Sequence, residues 1–250
     1  GIMGAGTQTA GLAAGGASDS PPTSKSTVAE YDGSSWTNVT SMPTAFSYGV
    51  GFGLQTAANI VGGTSPTSNR NLEYDGTNWT TGGSLNTGRA GLGGSGITTA
   101  GLVFGGTEPA RSTKTESYNG TSFSETADLA TARGGIAGAM VSPNSQSVAF
   151  GGDTPPTTGA TEEFNISASV ITAAAWASGG AIPTATSLNS GAGTQTAALT
   201  FGGLAPSSTN ASLSYDGSSW TSTPNLYRAA YYGSGCGTQT AALNVDGTPP

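Results

Sequence analysis

The feature that most constrains the fold is a hairpin signature, Tyr31-Asp32-Gly33-Ser34-Ser35-Trp36, that returns at near-constant intervals. It recurs as Tyr74-Asp75-Gly76-Thr77-Asn78-Trp79, as Tyr118-Asn119-Gly120-Thr121-Ser122-Phe123 and as Tyr215-Asp216-Gly217-Ser218-Ser219-Trp220, with a degenerate copy opening on Phe164-Asn165. An aromatic strand end, an Asp-Gly or Asn-Gly pair and a second aromatic signal a hairpin, because such turn residues tolerate positive φ. The chain therefore reads as a series of hairpins.

The hairpin aromatics Tyr31, Tyr74, Tyr118, Phe164 and Tyr215 lie 43, 44, 46 and 51 residues apart. The doublets Gly15-Gly16, Gly62-Gly63, Gly105-Gly106, Gly151-Gly152 and Gly202-Gly203 repeat with them. An apolar residue follows eleven after the aromatic at Met42, Leu85, Leu129 and Leu226, but eighteen after Phe164 at Ile182. Repeat four thus carries a seven-residue insertion between Phe164 and Ile182. Periods of roughly 40–50 residues with several short strands per unit mark propeller blades.

Within each unit a glycine-laden first strand is expected at Gly49–Gly53, Gly91–Gly94, Gly134–Gly138 and Ser190–Gly193. The second strand alternates, with Leu102/Phe104, Val148/Phe150, Leu199/Phe201 and Leu243/Val245 each on one face. The 41 glycines follow from this arrangement: innermost strands of a radial array converge on a narrow axis where only small side chains fit. The expected fold is all-β, a single domain over residues 1–250: a β-propeller of four-stranded antiparallel blades, with five full repeats and a partial sixth, six blades being favoured. The repeats run over about 1–45, 46–88, 89–132, 133–185 and 186–229, with the partial unit at 230–250. Tyr231 to Gly247 match strands one and two of that unit, so an open edge is expected there, covered by outside residues or a neighbouring subunit or left bare.

These residues resemble kelch repeats, the propeller family related to the central domain of galactose oxidase. The likeness rests on the lead-ins Leu85 to Arg89, Leu129 to Arg133 and Met42-Pro43-Thr44-Ala45, the Gly-Gly doublets and the Tyr-to-Trp pairs. The arginine position is Phe46, Thr186 and Ala230 in other units, a departure from the pattern. The Thr/Gly-rich form, with Gly-Thr-Gln-Thr-Ala and Tyr-Asp-Gly-Ser-Ser-Trp-Thr, is similar to repeats in virion proteins of aquatic tailed phages.

Composition narrows the function. A net charge of −7 with only seven Lys and Arg leaves no basic stripe for nucleic acid or an anionic membrane surface. No run of about 18 apolar residues offers membrane insertion. Histidine is absent, which removes Ser-His-Asp and Cys-His catalysis, imidazole zinc sites and the copper site that the galactose oxidase resemblance would imply. No catalytic, cofactor-binding or metal-ligating residue is assigned, and no cofactor is expected. Asp32, Asp75 and Asp216 read as turn residues rather than calcium ligands, and adjacent Glu162-Glu163 point to opposite strand faces. Arg89 and Arg133 share one repeat position, which favours a structural tie through carbonyls. Cys236 has no partner for a disulfide and reads as a small buried residue.

Residues that break a repeat are where function is sought, so Val170, Ile171 and Trp176, in or beside the repeat-four insertion, are the candidate interaction residues. Asn38, Asn78, Asn119, Asn165 and Asn210 are glycosylation sequons if the chain is secreted by a eukaryote. The expected function is that of a non-enzymatic extracellular or virion-surface protein. It would assemble with itself or other structural subunits through the open blade and attach to glycans. A secreted filament or matrix subunit without a receptor role is the alternative; a carbohydrate-active enzyme is disfavoured.

Overall fold

In a computed structural model that describes residues 1–17, 23–64, 68–139, 144–166 and 175–245, the hairpin repeats build antiparallel sheets, with no helix among the described residues. Blade one comprises β1 (Met3–Thr7), β2 (Ala10–Ala14), β3 (Val28–Tyr31) and β4 (Trp36–Val39). Blade two comprises β5 (Val50–Leu54), β6 (Ala57–Val61), β7 (Asn71–Tyr74) and β8 (Trp79–Thr81). Blade three has β9 (Gly93–Ile97) and β10 (Ala100–Phe104), a small side hairpin β11 (Thr107–Glu108) and β12 (Ala110–Arg111), then β13 (Thr115–Tyr118) and β14 (Phe123–Glu125). Blade four has β15 (Ala137–Gly138), β16 (Gln146–Phe150), β17 (Thr161–Asn165) and β18 (Ala175–Ser178). Blade five has β19 (Ser190–Thr194), β20 (Ala197–Phe201), β21 (Ser212–Tyr215) and β22 (Trp220–Thr223). A two-stranded sheet follows, β23 (Ser234–Thr238) and β24 (Ala241–Val245). The first strands pack in a ring, β1 on β5, then β9, β15, β19 and β23, and β23 closes on β1. The molecule is a β-propeller of five four-stranded blades with the inner half of a sixth.

The repeated hairpin differs from a two-residue turn. Tyr31 pairs with Trp36 across four loop residues, and Asp32 Oδ1 accepts the main-chain N–H groups of Ser34 and Ser35, both at 2.8 Å. Asp75, Asn119 and Asp216 do the same in their loops, and only the glycine has positive φ. An Asx-type side chain therefore supplies the turn's missing acceptor. Bonds from Ser34 and Ser35 hold the Asp32 carboxyl well below the usual carboxylate range.

Glycine at the second position of β5, β19 and β23 is required by close approach to the previous blade. A Cβ on Gly51 would lie 2.3 Å from the Gly4 carbonyl oxygen, one on Gly191 2.8 Å from that of Gly138, and one on Gly235 2.6 Å from that of Gly191. Bulk sits farther out, between blades. Leu102, Phe104, Leu129, Ile136, Ala149 and Phe164 form one buried cluster across blades three and four, and Val148, Phe150, Ala198 and Tyr215 belong to another across four and five. Two expected first strands start later than their glycine runs: Gly91 (φ 63) and Gly135 (φ 57) are left-handed and precede β9 and β15.

Polar ties repeat with the same geometry. Arg89 is fully buried, donating to the carbonyls of Gly105 (2.9 Å) and Lys114 (2.6 Å) and to Glu116 Oε1 (2.6 Å). Arg133 does likewise to Gly151 and Ala160 (both 2.8 Å) and to Glu162 Oε1 (2.5 Å). Burial pulls both guanidinium groups below their ordinary value, and the glutamates oppose that shift. Between blades, each tyrosine hydroxyl donates to the glutamate that precedes the previous hairpin aromatic: Tyr74 to Glu30 (2.8 Å), Tyr118 to Glu73 (2.5 Å) and Tyr215 to Glu163 (2.6 Å). Where blade four has Phe164, which cannot donate, blade three has Ser117 in place of the glutamate. Glu162 and Glu163 thus face different partners on opposite sides of β17. Cys236 is buried, and burial pushes its thiol up to about 12.

Two outcomes follow. Gly51→Ala is expected to lower unfolding free energy by about 1–3 kcal/mol, through overpacking against Gly4, as read by denaturant titration. Burial, then the glutamate partner, pushes the phenols of Tyr118 and Tyr215 up to about 12, from 10.0. A raised folded-state value means stability is fully present below pH 10 and lost as pH rises towards 12. Tyr118→Phe and Tyr215→Phe should each shallow that alkaline loss in pH-dependent unfolding.

Candidate functional site

Just before each first strand the chain turns sharply onto the axis, and the six equivalent positions are Gly1, Tyr48, Gly91, Gly135, Leu188 and Tyr232. Five of them have positive φ, at 60° for Tyr48, 63° for Gly91, 57° for Gly135, 57° for Leu188 and 59° for Tyr232. The turn lets four of the main-chain N–H groups reach the previous blade: Tyr48 to Gly1 O (3.1 Å), Gly91 to Tyr48 O (2.7 Å), Leu188 to Gly135 O (3.2 Å) and Tyr232 to Leu188 O (3.1 Å). Glycine adopts this conformation freely, whereas a side chain there costs roughly 1–2 kcal/mol. Three of the six positions nevertheless carry large side chains.

Those side chains wall an axial cup of about 390 Å³, floored by Gly91 and Gly135 and rimmed by Thr64, Thr107, Ser187 and Asp153. The rings of Tyr48 and Tyr232 meet edge to face, with centroids 5.0 Å apart. Burial, then the neighbouring tyrosines, raises the Tyr232 phenol. Asp153 is paired with Arg111 from the blade-three side hairpin. Aromatic edges, hydroxyls and one neutralised carboxylate can bind a polar ligand through stacking and hydrogen bonds. Strained residues gathered round a cavity are a mark of a functional site. The cup was not read from the sequence, although a signal existed: bulky residues and glycine alternate at one fixed position before each first strand.

A second site is the outer edge of β24. Up to three links tie a blade to the one before it, and blades two and five make all three. Besides the tyrosine–glutamate bonds, indole Nε1 of Trp79, Trp176 and Trp220 donates to the carbonyls of Thr40, Ala127 and Gly180, each at 2.9 Å. Gln55 Nε2 donates to Gly11 O (3.0 Å) and Tyr31 O (2.8 Å), and Gln239 Nε2 to Ala198 O (2.9 Å) and Tyr215 O (2.7 Å). Blade one carries the same three donors in Tyr31, Trp36 and Gln8, and none has a hydrogen-bond partner among the described residues. Trp36 is 42% exposed. By their repeat positions all three lie on the side of the half-blade, the neighbour that precedes blade one in the ring. Every residue of β24 is only partly buried, unlike the interiors of β2, β6 and β10.

Trp176, a candidate interaction residue, holds the tryptophan position of the repeat. It pairs with Phe164 as Trp79 pairs with Tyr74, packs on Phe104 and donates its indole N–H to Ala127 O. The insertion displaced it from its usual spacing, which made a scaffold tryptophan look unique. Val170 and Ile171 lie outside the described residues. Asn38, Asn78, Asn119 and Asn165 are exposed, while Asn210 donates to Leu226 O at 3.2 Å. Among the described residues no group of three His, Cys, Asp or Glu could hold a metal.

Leu188→Gly should leave stability unchanged or raise it, despite removing an apolar side chain, because the left-handed strain goes with it. Thermal melts compared with the wild type check this.

No protein-family profile matches the chain, and no curated protein matches it. Among solved structures it is similar to that of YjhT, with a TM-score of 0.78 at 12% identity, over 99% of this chain and 90% of that one. Likeness at that identity speaks to fold, and the fold is a β-propeller.

Proposed function

We propose that the protein is a non-enzymatic, kelch-like assembly subunit of an extracellular or virion surface, in which the edge of β24 takes an outer hairpin from another segment or subunit. The observation that carries this reading is the trio Tyr31, Trp36 and Gln8, three donors lacking the acceptors that every comparable link uses. An edge strand with such donors beside it favours addition of a β-hairpin. The missing histidines and the structural employment of the carboxylates support a role without catalysis: Glu116 and Glu162 hold arginines, Glu30, Glu73 and Glu163 hold tyrosines, and Asp32, Asp75 and Asp216 hold turns. The Thr/Gly-rich repeats, with their lead-ins and doublets, support the kelch-like and virion-like reading.

Thr238 and Ala241 close a two-residue turn, so the main-chain groups of Ala242 face away from β23, toward the open edge. Sedimentation velocity of the chain across a concentration series is expected to show association, and Ala242→Pro should abolish it while keeping the circular dichroism of the parent. A chain that stays monomeric throughout, or an Ala242→Pro variant that assembles equally well, overturns the reading.

The axial cup favours a second role, attachment to neutral glycans, because sugar rings stack on tyrosine and their hydroxyls match Thr64, Thr107 and Ser187. Binding of the chain to immobilised neutral glycans is expected to disappear in a Tyr48→Gly/Tyr232→Gly variant whose melting temperature is not reduced. Equal binding by that variant removes the cup from the role.

A further inference from the structure

The lead-ins of blades three, four and five reach one socket each, and the three sockets share a frame. The Gly105 N–H donates to Lys114 O, the Gly151 N–H to Ala160 O and the Gly202 N–H to Ala211 O, each at 3.0 Å. In blades three and four the carbonyls of these glycines and of their partners receive Arg89 and Arg133, and a glutamate two residues beyond the partner completes the set. In blade five the arginine position is Thr186 and the glutamate position is Leu213. Blade two meets the same loss differently, filling its socket with buried Phe46 against Leu72. Blade five has neither filling.

What remains is a cavity of about 220 Å³ lined by Thr186, Asn189, Gly202, Ala211 and Leu213, with exposed Thr184 and Ser222 also on its wall. Asn189 is the second departure. It stands where blades three and four have Leu92 and Ile136, is 7% exposed, and donates through Nδ2 to Thr200 Oγ1 at 2.7 Å. Its Oδ1 is buried with no hydrogen-bond partner. A buried acceptor without a donor is costly and calls for a ligand that donates. An apolar side chain has been exchanged for an acceptor in the blade that has neither the arginine nor a bulky side chain in its place.

We propose that this cavity is a binding site for the guanidinium group of an arginine presented by another molecule. The carbonyls of Gly202 and Ala211 take the two bonds that Arg89 makes to Gly105 and Lys114, and Asn189, on the cavity wall, supplies its unpartnered Oδ1 as a further, neutral acceptor. Guanidinium suits the frame because it is planar, presents several donors in a fixed fork and is weakly hydrated. A net charge of −7 favours approach of a cation. Without a carboxylate the contact is reversible, whereas Arg89 and Arg133 are permanent parts of the core. The site is independent of the β24 edge and of the axial cup.

The test is a ¹H–¹⁵N titration of the whole chain with L-argininamide, beside L-lysinamide as a charge control and urea as a neutral planar donor. Saturable shifts are expected at the Gly202 and Ala211 amides and the Asn189 side-chain amide, with lysinamide and urea roughly tenfold weaker or more. A Thr186→Arg/Leu213→Glu variant rebuilds the Arg89–Glu116 arrangement, so it should lose those shifts and melt at a higher temperature. Asn189→Leu restores the residue of blade three and should weaken argininamide binding, a readout that stands even where the double variant fails to fold. Absence of saturable shifts, equal response to lysinamide, or unchanged binding in Asn189→Leu overturns the proposal and leaves a cavity that holds water only.

Discussion

Crowding at the axis is the constraint on which the structure depends. First strands of successive blades approach so closely that a Cβ on Gly51, Gly191 or Gly235 would fall within 2.3–2.8 Å of a main-chain oxygen in the preceding blade. The axis therefore accepts glycine and little else, and cohesion has to be found at larger radius. There the space between sheets widens, and Phe52, Phe104 and Phe150 with the hairpin tyrosines fill it. The composition, low in charge and high in glycine, is a consequence of this radial geometry.

Within and between blades the polar ties behave as matched sets. An arginine at the lead-in comes with a glutamate on the third strand, and both are exchanged together in blades two and five. A tyrosine hydroxyl comes with a glutamate one blade back, and Phe164 comes with Ser117. Such pairing follows from the cost of a buried charge or acceptor left alone, which exceeds the net benefit of the satisfied pair. The same logic makes exceptions informative. Asn189 Oδ1 has no donor, and Tyr31, Trp36 and Gln8 have no acceptor among the described residues.

Legibility of the sequence varied with the range of the interaction. Turn chemistry and period-2 alternation are local, so Asp32-Gly33 and Leu102/Phe104 announced hairpins and buried faces directly. The spacing of the hairpin aromatics announced the blades. Trp176 stood out because an insertion of seven residues hid its repeat position, which its pairing with Phe164 shows. The axial cup escaped notice because Tyr48, Leu188 and Tyr232 are far apart in the chain and look like ordinary apolar residues. Their left-handed φ and their meeting on one axis are properties of closure.

By itself the sequence determined the unit: its strands, its loop residues, its glycine ring and the number of its copies, all set by steric and hydrogen-bonding preferences within one repeat. Tertiary structure decided which donors find acceptors, since the arginine contacts join residues 16 to 29 apart that meet only when a blade folds, and the tyrosine contacts join residues 44 to 52 apart that meet only when neighbouring blades dock. That is why Arg89 and Arg133 became core, why Thr186 left a socket, and why the same hairpin tyrosine is satisfied in blade two and unpartnered in blade one.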